Sequence, residues 1–461
     1  MKKLLYLMPL FLLILPGCSK FLDVNKDPNN PIDVQESLLL PPLELNTSDN
    51  IYAGFAATLA QNFMQSIAPI QPNPGFWNYQ VFNNDLDGEF ATFYVTSLNN
   101  LKILVKKAEA NNKPNYAAVA KILTAYTLGT ATDIWGDLPW SEGFAGVGNL
   151  TPKYDSQESI YKVLQSLLNE AIGDINKGSL IVPKTDDYFY GGQMAKWKKL
   201  AYVLKARYFM HLAKAPGHTA AIQADSVLNA LQNGMTSSDD DLKMAYAGDA
   251  GTENDWGITF GPVSTYVLNE TFVEGFKTRN DPRLPLMVKP AVNTGLYTGR
   301  RVGATLQPLN NYSYPADFYG GLNATNAIVT YSEALFLKAE ATLTKSGFAA
   351  ASLVYIDAVK LHFSKIGMDP NGVPATTYLA TRALTAGNAL QRIIEEKAIA
   401  NPLNIENFAD WRRTGFPALT KVDGALSNIP RRLPYPQTEQ ISNPQPQQSA
   451  ALTDRVWWDV Q

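Results

Sequence analysis

Cysteine and histidine, the residues most often used as nucleophiles, proton shuttles and metal ligands, are scarce in this 461-residue chain, which holds only Cys18, His211, His218 and His362. A single thiol excludes an intrachain disulfide, so stability rests on packing. The histidines fall in no His-Glu-x-x-His arrangement, and His211 lies beside the apolar stripe of a candidate helix, where a structural imidazole is expected. A Gly-x-x-x-x-Gly-Lys-Ser/Thr loop and a Gly-x-Ser-x-Gly elbow are also missing, which leaves phosphate and acyl-transfer chemistry without a signature. Charge of one sign is lacking too: 39 basic residues against 42 acidic ones give a formal −3, with no footprint for nucleic acid or an anionic membrane surface. Beyond the N-terminus no apolar run approaches membrane-spanning length. Glycoside hydrolysis needs only two carboxylates whose sequence positions are free, so composition does not exclude it, but no local signature supports it. No catalytic residue is assigned, and the chain is read as a non-enzyme.

The N-terminus is informative by what it contains. Met1-Lys2-Lys3, the short apolar run Leu4 to Leu15 and a small-residue cleavage point have the form of a secretory signal peptide. Leu15-Pro16-Gly17-Cys18 further resembles a bacterial lipobox, which implies a signal peptide over 1–17, cleavage before Cys18 and acylation of that cysteine. Residues 18–34, rich in Asn, Asp and Pro, read as a lipidated tether.

Residues 35–461 read as an all-α scaffold. Helical patterning starts near Gln35 and runs through the Ala-rich stretch to Ile67, where Pro69, Pro72 and Pro74 stop it. The clearest helix follows Asp155, an expected N-cap paired with Glu158, and places Ile160, Leu164, Leu168 and Ile172 on one face. Others are expected at about 115–131, 194–214, 327–345, 349–363 and 388–400. Short links such as Lys345-Ser346-Gly347 predict helical hairpins of tetratricopeptide-like length, although no clean 34-residue repeat recurs. Between 233 and 326 the periodicity fades, and Gly, Pro, Asn and aromatics alternate. A stretch of that length in a compact chain is expected to carry function, with a few short strands, and is read as the ligand-binding subregion.

Aromatic residues are abundant, with 22 Tyr, 20 Phe and 8 Trp, and many stand in segments without helical spacing. A sugar presents apolar C–H faces and a polar rim, so its site needs flat aromatic platforms beside amides or charged groups. Trp77, Asn78 and Tyr79 on a proline-bounded loop, Trp256, and Tyr312 and Tyr319 in a Tyr/Asn-rich stretch are the candidate ligand residues. Large aromatics under long loops also form satellite hydrophobic clusters, so each stands between platform and packing. Asn83-x-Asp85-x-Asp87-Gly88 matches the first half of a calcium loop, but Tyr94 occupies the position of the bidentate glutamate. No metal site or cofactor is assigned, and structural calcium stays open without a complete motif. Ser237-Ser238-Asp239-Asp240-Asp241 reads as a solvated acidic loop. Trp135, Trp411 and the pairs Arg412-Arg413 and Arg431-Arg432 read as structural, through Arg–carboxylate bonds and indole packing.

In order along the chain, Asp133-Ile-Trp135-Gly136-Asp137-Leu-Pro139, Lys196-Trp197, Asn280-Asp281-Pro282-Arg283, Tyr331-Ser-Glu-Ala, Glu406-Asn-Phe-Ala-Asp410-Trp411-Arg412-Arg413-Thr-Gly415 and Ile429-Pro-Arg431-Arg432-Leu-Pro434-Tyr435 resemble successive motifs of the SusD/RagB family. That resemblance covers nearly the whole mature chain. It implies a helical fold with tetratricopeptide-like pairs and a surface-exposed outer-membrane lipoprotein. Such a protein captures a nutrient, usually an oligosaccharide such as starch, and hands it to a SusC-type TonB-dependent transporter. Because the family also has members that bind peptides, the ligand class is left open between glycan and peptide; a structural adaptor and a glycosidase are the remaining alternatives.

Overall fold

The computed structural model describes residues 34–70, 75–261 and 266–460. The signal peptide, Cys18 and all but the last residue of the tether lie outside the described residues.

The N-terminal half is built of α1 (Glu36–Asn46), α2 (Phe55–Phe63), the short α3 (Asp87–Ala91), α4 (Asn100–Ala110), α5 (Pro114–Trp135), α6 (Gln157–Asn176), α7 (Met194–His211) and α8 (Ala220–Leu231). Wide helical turns at Thr47–Tyr52 and Thr92–Asn99 extend α1 and precede α4. After the loop-rich region come α13 (Tyr331–Lys365), α14 (Val373–Thr381), α15 (Ala389–Ala400), α16 (Glu406–Thr414) and α17 (Gln437–Ser442). Helices α4 to α8 pack in succession, α8 then meets α13, and α13 continues through α15 to α16. This chain of neighbouring helices is the helical scaffold expected from the periodicity.

Close approach in the scaffold depends on small residues. Every residue of α5 is buried, and Gly129 on it faces Tyr208 of α7: a Cβ there would stand 2.3 Å from Tyr208 Oη and 2.6 Å from Cζ. The phenol cannot step aside cheaply, because it is buried and donates to Ala125 O at 2.9 Å. Gly129→Ala is therefore expected to lower unfolding free energy by about 1–3 kcal/mol, read as a drop in the urea midpoint with an unchanged m-value.

Several boundaries differ from the sequence expectation, each for a local reason. Asp155 does not cap α6; its carboxylate accepts Trp140 N–H at 3.1 Å and Ser141 N–H at 2.6 Å, and Ser156 caps instead by accepting Ser159 N–H. Residues 327–329 are strand, and the following helix starts at Tyr331 under a Thr330 cap. The break at Gly347, with φ 79°, divides α13 where two helices were expected. Ile67 is also strand. Asp240 and Asp241 are buried, not solvated: Asp240 accepts Thr236 N–H at 2.8 Å and pairs with Lys199 at 2.8 Å.

The loop-rich region holds α9 (Asp255–Thr259), α10 (Glu270–Thr278), α11 (Leu284–Met287) and α12 (Asp317–Gly320), the longest of them nine residues. Its strands are fastened in antiparallel pairs: β1 (Ile67–Pro69) with β3 (Tyr266–Leu268), β2 (Leu242–Met244) with β6 (Asn326–Val329), and β4 (Val288–Lys289) with β5 (Tyr314–Pro315). The first of these ladders joins the region to the N-terminal helices and so positions the loop after β1.

Candidate ligand-binding site

The loop at 75–80 is held by hydrogen bonds to its own atoms and to distant segments. Phe76–Asn78 forms a tight 3-10 turn in which Gly75 N–H donates to Asn78 Oδ1 at 3.1 Å and Asn78 N–H donates to Gly75 O at 3.1 Å. Asn62 Nδ2 donates to Phe76 O at 2.6 Å, and Leu426 N–H donates to Asn78 O at 3.1 Å. Tyr79 ends the turn in the left-handed region at φ 71°, with its ring buried edge-on against Phe63 at 6.0 Å and its hydroxyl accepting Val422 N–H at 3.3 Å. Asn78 and Tyr79 are thus buried supports of the loop. Trp77, immediately before them, is only partly buried.

Trp77 lies against Gly424, where an added Cβ would touch the indole six-membered ring at 3.5 Å and where φ is 72°. The neighbouring Asp423 accepts from Arg301 Nε at 3.0 Å and Nη2 at 2.8 Å, and both side chains are exposed, at 60% and 63%. Gly303 lets the two segments meet, since a Cβ there would fall 2.7 Å from Asp423 O. The arrangement offers one flat apolar face on a rigid loop beside a guanidinium and a carboxylate that reach water. Those are the two chemistries a sugar ring presents in complement. Arg301, Asp423 and Gly424 were not singled out from sequence; Asp423-Gly424 is a turn signal, but nothing local ties it to a tryptophan more than three hundred positions earlier.

Trp256 and Tyr319 stand elsewhere, together in the wall of a cavity of about 430 Å³. Trp256 is 1% exposed on α9 and stacks on Phe260 at 6.2 Å. The Tyr319 hydroxyl meets His362 Nε2 at 2.9 Å, while His362 Nδ1 faces Arg283 Nη1 at 3.2 Å. A guanidinium only donates, so Nδ1 accepts, and Nε2–H donates to Tyr319. Burial, with the Arg283 charge beside it, holds the His362 imidazole well below its ordinary pKa, which keeps it neutral. Tyr312 joins neither group: it is buried and its hydroxyl accepts Gln307 N–H at 2.9 Å.

The charged motif residues hold elements together, as the sequence implied. Arg413 pairs with Asp410 and Glu340, Arg431 pairs with Asp459, and Trp135 Nε1 donates to Pro434 O at 3.0 Å. Arg412 departs from that pattern: it donates to Asp133 O and Arg431 O and lies over Phe408 and Trp458, at 4.1 and 4.8 Å. His211, fully buried between Asp133 and Glu406, is pushed up to about 9 by those carboxylates against the opposing effect of burial. In the half calcium loop, Asp85 accepts Phe82 N–H at 2.8 Å and Asp87 accepts Thr438 N–H at 2.9 Å. Among the described residues no group of three or more His, Cys, Asp or Glu is placed to hold a metal ion. None of their helices is long and apolar enough to cross a membrane.

Stacked helical hairpins bearing a stitched, loop-built surface define a helical-scaffold protein. The chain belongs to the SusD-like family, whose model, described as starch-binding and associating with the outer membrane, matches residues 28–436. Among solved structures it is similar to a chitin-binding protein at 25% identity and TM-score 0.78, covering 93% of this chain and 100% of that one. A SusD/RagB family protein from Bacteroides thetaiotaomicron VPI-5482 matches at 22% identity and TM-score 0.78, over 93% and 99% of the two chains. A chitin-binding SusD homolog from Flavobacterium johnsoniae matches at 20% identity and TM-score 0.78, over 92% and 98%. No curated protein matches the chain. The resemblance drawn from the ordered motifs and the helical fold it implied are both borne out.

Proposed function

We propose that this chain is a non-catalytic, lipid-anchored capture protein of the outer membrane that binds a glycan at the Trp77 surface and passes it to a SusC-type TonB-dependent transporter. The reading is carried by the contrast among the aromatics: Trp77 stays partly exposed on a hydrogen-bonded loop beside the Arg301–Asp423 pair, whereas Tyr79, Trp256 and Tyr312 are buried. A rigid platform loses little freedom on binding, which favours affinity for a ligand as flexible as an oligosaccharide. The acyl groups on Cys18 anchor the protein at the cell surface, each buried methylene contributing about 0.8 kcal/mol. The chitin-binding neighbours and the starch-binding description of the family make chito- and malto-oligosaccharides the first ligands to try.

Calorimetric titration with these two series tests the assignment. Trp77→Ala is expected to weaken binding of the cognate series at least tenfold, about 1.4 kcal/mol, while the melting temperature moves little. An unchanged affinity would remove Trp77 from the site. Binding of peptides with silence toward every glycan would move the ligand class to the peptide-binding branch.

A further inference from the structure

The cavity bordered by Trp256 and Tyr319 has a polar imbalance that nothing in the described residues corrects. It opens between the 400–403 segment, the end of α13 and the β2–β6 ladder. Two buried donors on its lining residues have no acceptor: Asn401 Nδ2 and Trp256 Nε1. Asn401 spends its oxygen on Thr330 Oγ1, which donates at 3.2 Å. Lys365 brings an ammonium whose aspartate partner, Asp241, stays 3.5 Å away, and Lys243 adds a second cation in the lining. The acceptors present are already engaged: Asp241 takes Tyr331 N–H at 2.7 Å, and Asn326 Oδ1 takes Asn254 Nδ2 at 2.6 Å. Lys365 and the solvent-exposed Lys243 stand against one carboxylate with orphaned donors beside them, a setting that favours a ligand supplying oxygen acceptors and a negative charge. Phe318 and Tyr319, edge to face at 4.7 Å, give the same cavity an apolar wall.

We propose that this cavity is a second ligand site, which takes a small hydroxylated molecule bearing one carboxylate, of the size and chemistry of a uronic acid. The carboxylate is held by Lys365, with the Asn401 amide and the Trp256 indole turned to oxygens of the ligand. A volume of about 430 Å³ is enough for one or two sugar units. Burial pushes the Lys365 ammonium down, a cost that a ligand carboxylate on Lys365 relieves. No residue of the 75–80 loop lines the cavity, so the site does not depend on the glycan surface at Trp77.

The test is calorimetry on the full chain with D-glucuronate and D-galacturonate, against D-glucose, acetate and a tripeptide with a free carboxyl terminus. At least one uronate is expected to bind at least tenfold more tightly than glucose and acetate. Lys365→Met should weaken that binding tenfold or more, and Trp77→Ala should leave it unchanged, which separates this site from the glycan surface. Silence of both uronates, equal affinity for glucose, or binding of the tripeptide or acetate alone overturns the proposal. Should Lys365→Met fail to fold, the indole ¹⁵N–¹H resonance of Trp256 in the wild-type chain decides: a shift on adding the uronate supports the site, and an unmoved resonance overturns it.

Discussion

Replacing Arg283 with alanine is expected to cost about 3–5 kcal/mol of unfolding free energy, because the buried Asp281 then loses its paired guanidinium and the buried Glu396 keeps only Arg382 as counter-charge. Arg283 is fully buried and is the point where four segments meet. Its Nε donates to Asp281 Oδ1 at 2.9 Å, and its Nη2 lies 2.7 Å from Asp281 Oδ2 and 2.6 Å from Glu396 Oε2 on α15. The same Nη2 donates to Tyr378 Oη of α14 at 3.0 Å, and Nη1 donates to His362 of α13. The guanidinium also faces the rings of Phe363 and Tyr378 at 5.2 and 5.1 Å. Lysine at 283 supplies one ammonium in place of a planar fork, so Arg283→Lys should recover only part of the loss. The Arg283 charge, against the opposing effect of burial, holds the Asp281 carboxyl below its ordinary pKa. Its stability contribution is therefore present above the unfolded value near 3.8 and is lost as pH falls through the lowered folded value. The gap between wild type and Arg283→Ala should accordingly hold between pH 7 and pH 4 and narrow only when urea melts are carried below pH 3.8; a gap that stays constant there would mean that packing, not charge, sets the cost.

The second large effect sits at Glu406. Its carboxylate lies 2.8 Å from His211 Nε2, 3.6 Å from Arg207 and 3.8 Å from Lys397, all buried. The His211 and Arg207 charges hold it well below the usual carboxylate range, against the opposing effect of burial. His211 in turn titrates at about 9 instead of 6.5. A base whose folded pKa is raised stabilises fully below its unfolded value, and that contribution disappears as pH rises through the folded one. The wild-type urea midpoint is thus expected to fall between pH 6.5 and 9, with roughly 3 kcal/mol from His211 as an upper bound. Glu406→Gln removes the carboxylate that binds the imidazolium, which should cost about 3–5 kcal/mol at pH 6 and flatten the slope above it. A mutant slope equal to that of the wild type would place the pH dependence on other groups.

What the sequence revealed followed the period of its apolar residues. Ile160, Leu164, Leu168 and Ile172 mark α6 because a long amphipathic helix repeats its signal over several turns. The paired strands run two to four residues, too short to show alternation, so Ile67 and residues 327–329 read as parts of neighbouring helices. The Asp155 cap was misplaced by one residue because two adjacent polar side chains compete for one helix end, and only the bridge between Leu138 and Asp155 decides between them. At the ligand surface the proline-bounded loop was legible, but which aromatics face outward was not. Burial of Tyr79 depends on Phe63 and Val422, and that of Trp256 on packing against Phe260, contacts that composition does not encode.

Trp77 sits where three stretches that lie far apart in the chain, at 75–79, 301–303 and 422–426, come together: Leu426 N–H joins the third to the first, Arg301 and Asp423 join the second to the third, and Asn62 ties the first to α2. None of the three belongs to a long helix. Each can therefore lengthen, shorten or change residues without disturbing helix packing, and a change in one alters what surrounds the indole while the other two hold it in place. If the proposed glycan surface lies here, selectivity becomes a modular trait: loops can be edited one at a time with no need to refold the core.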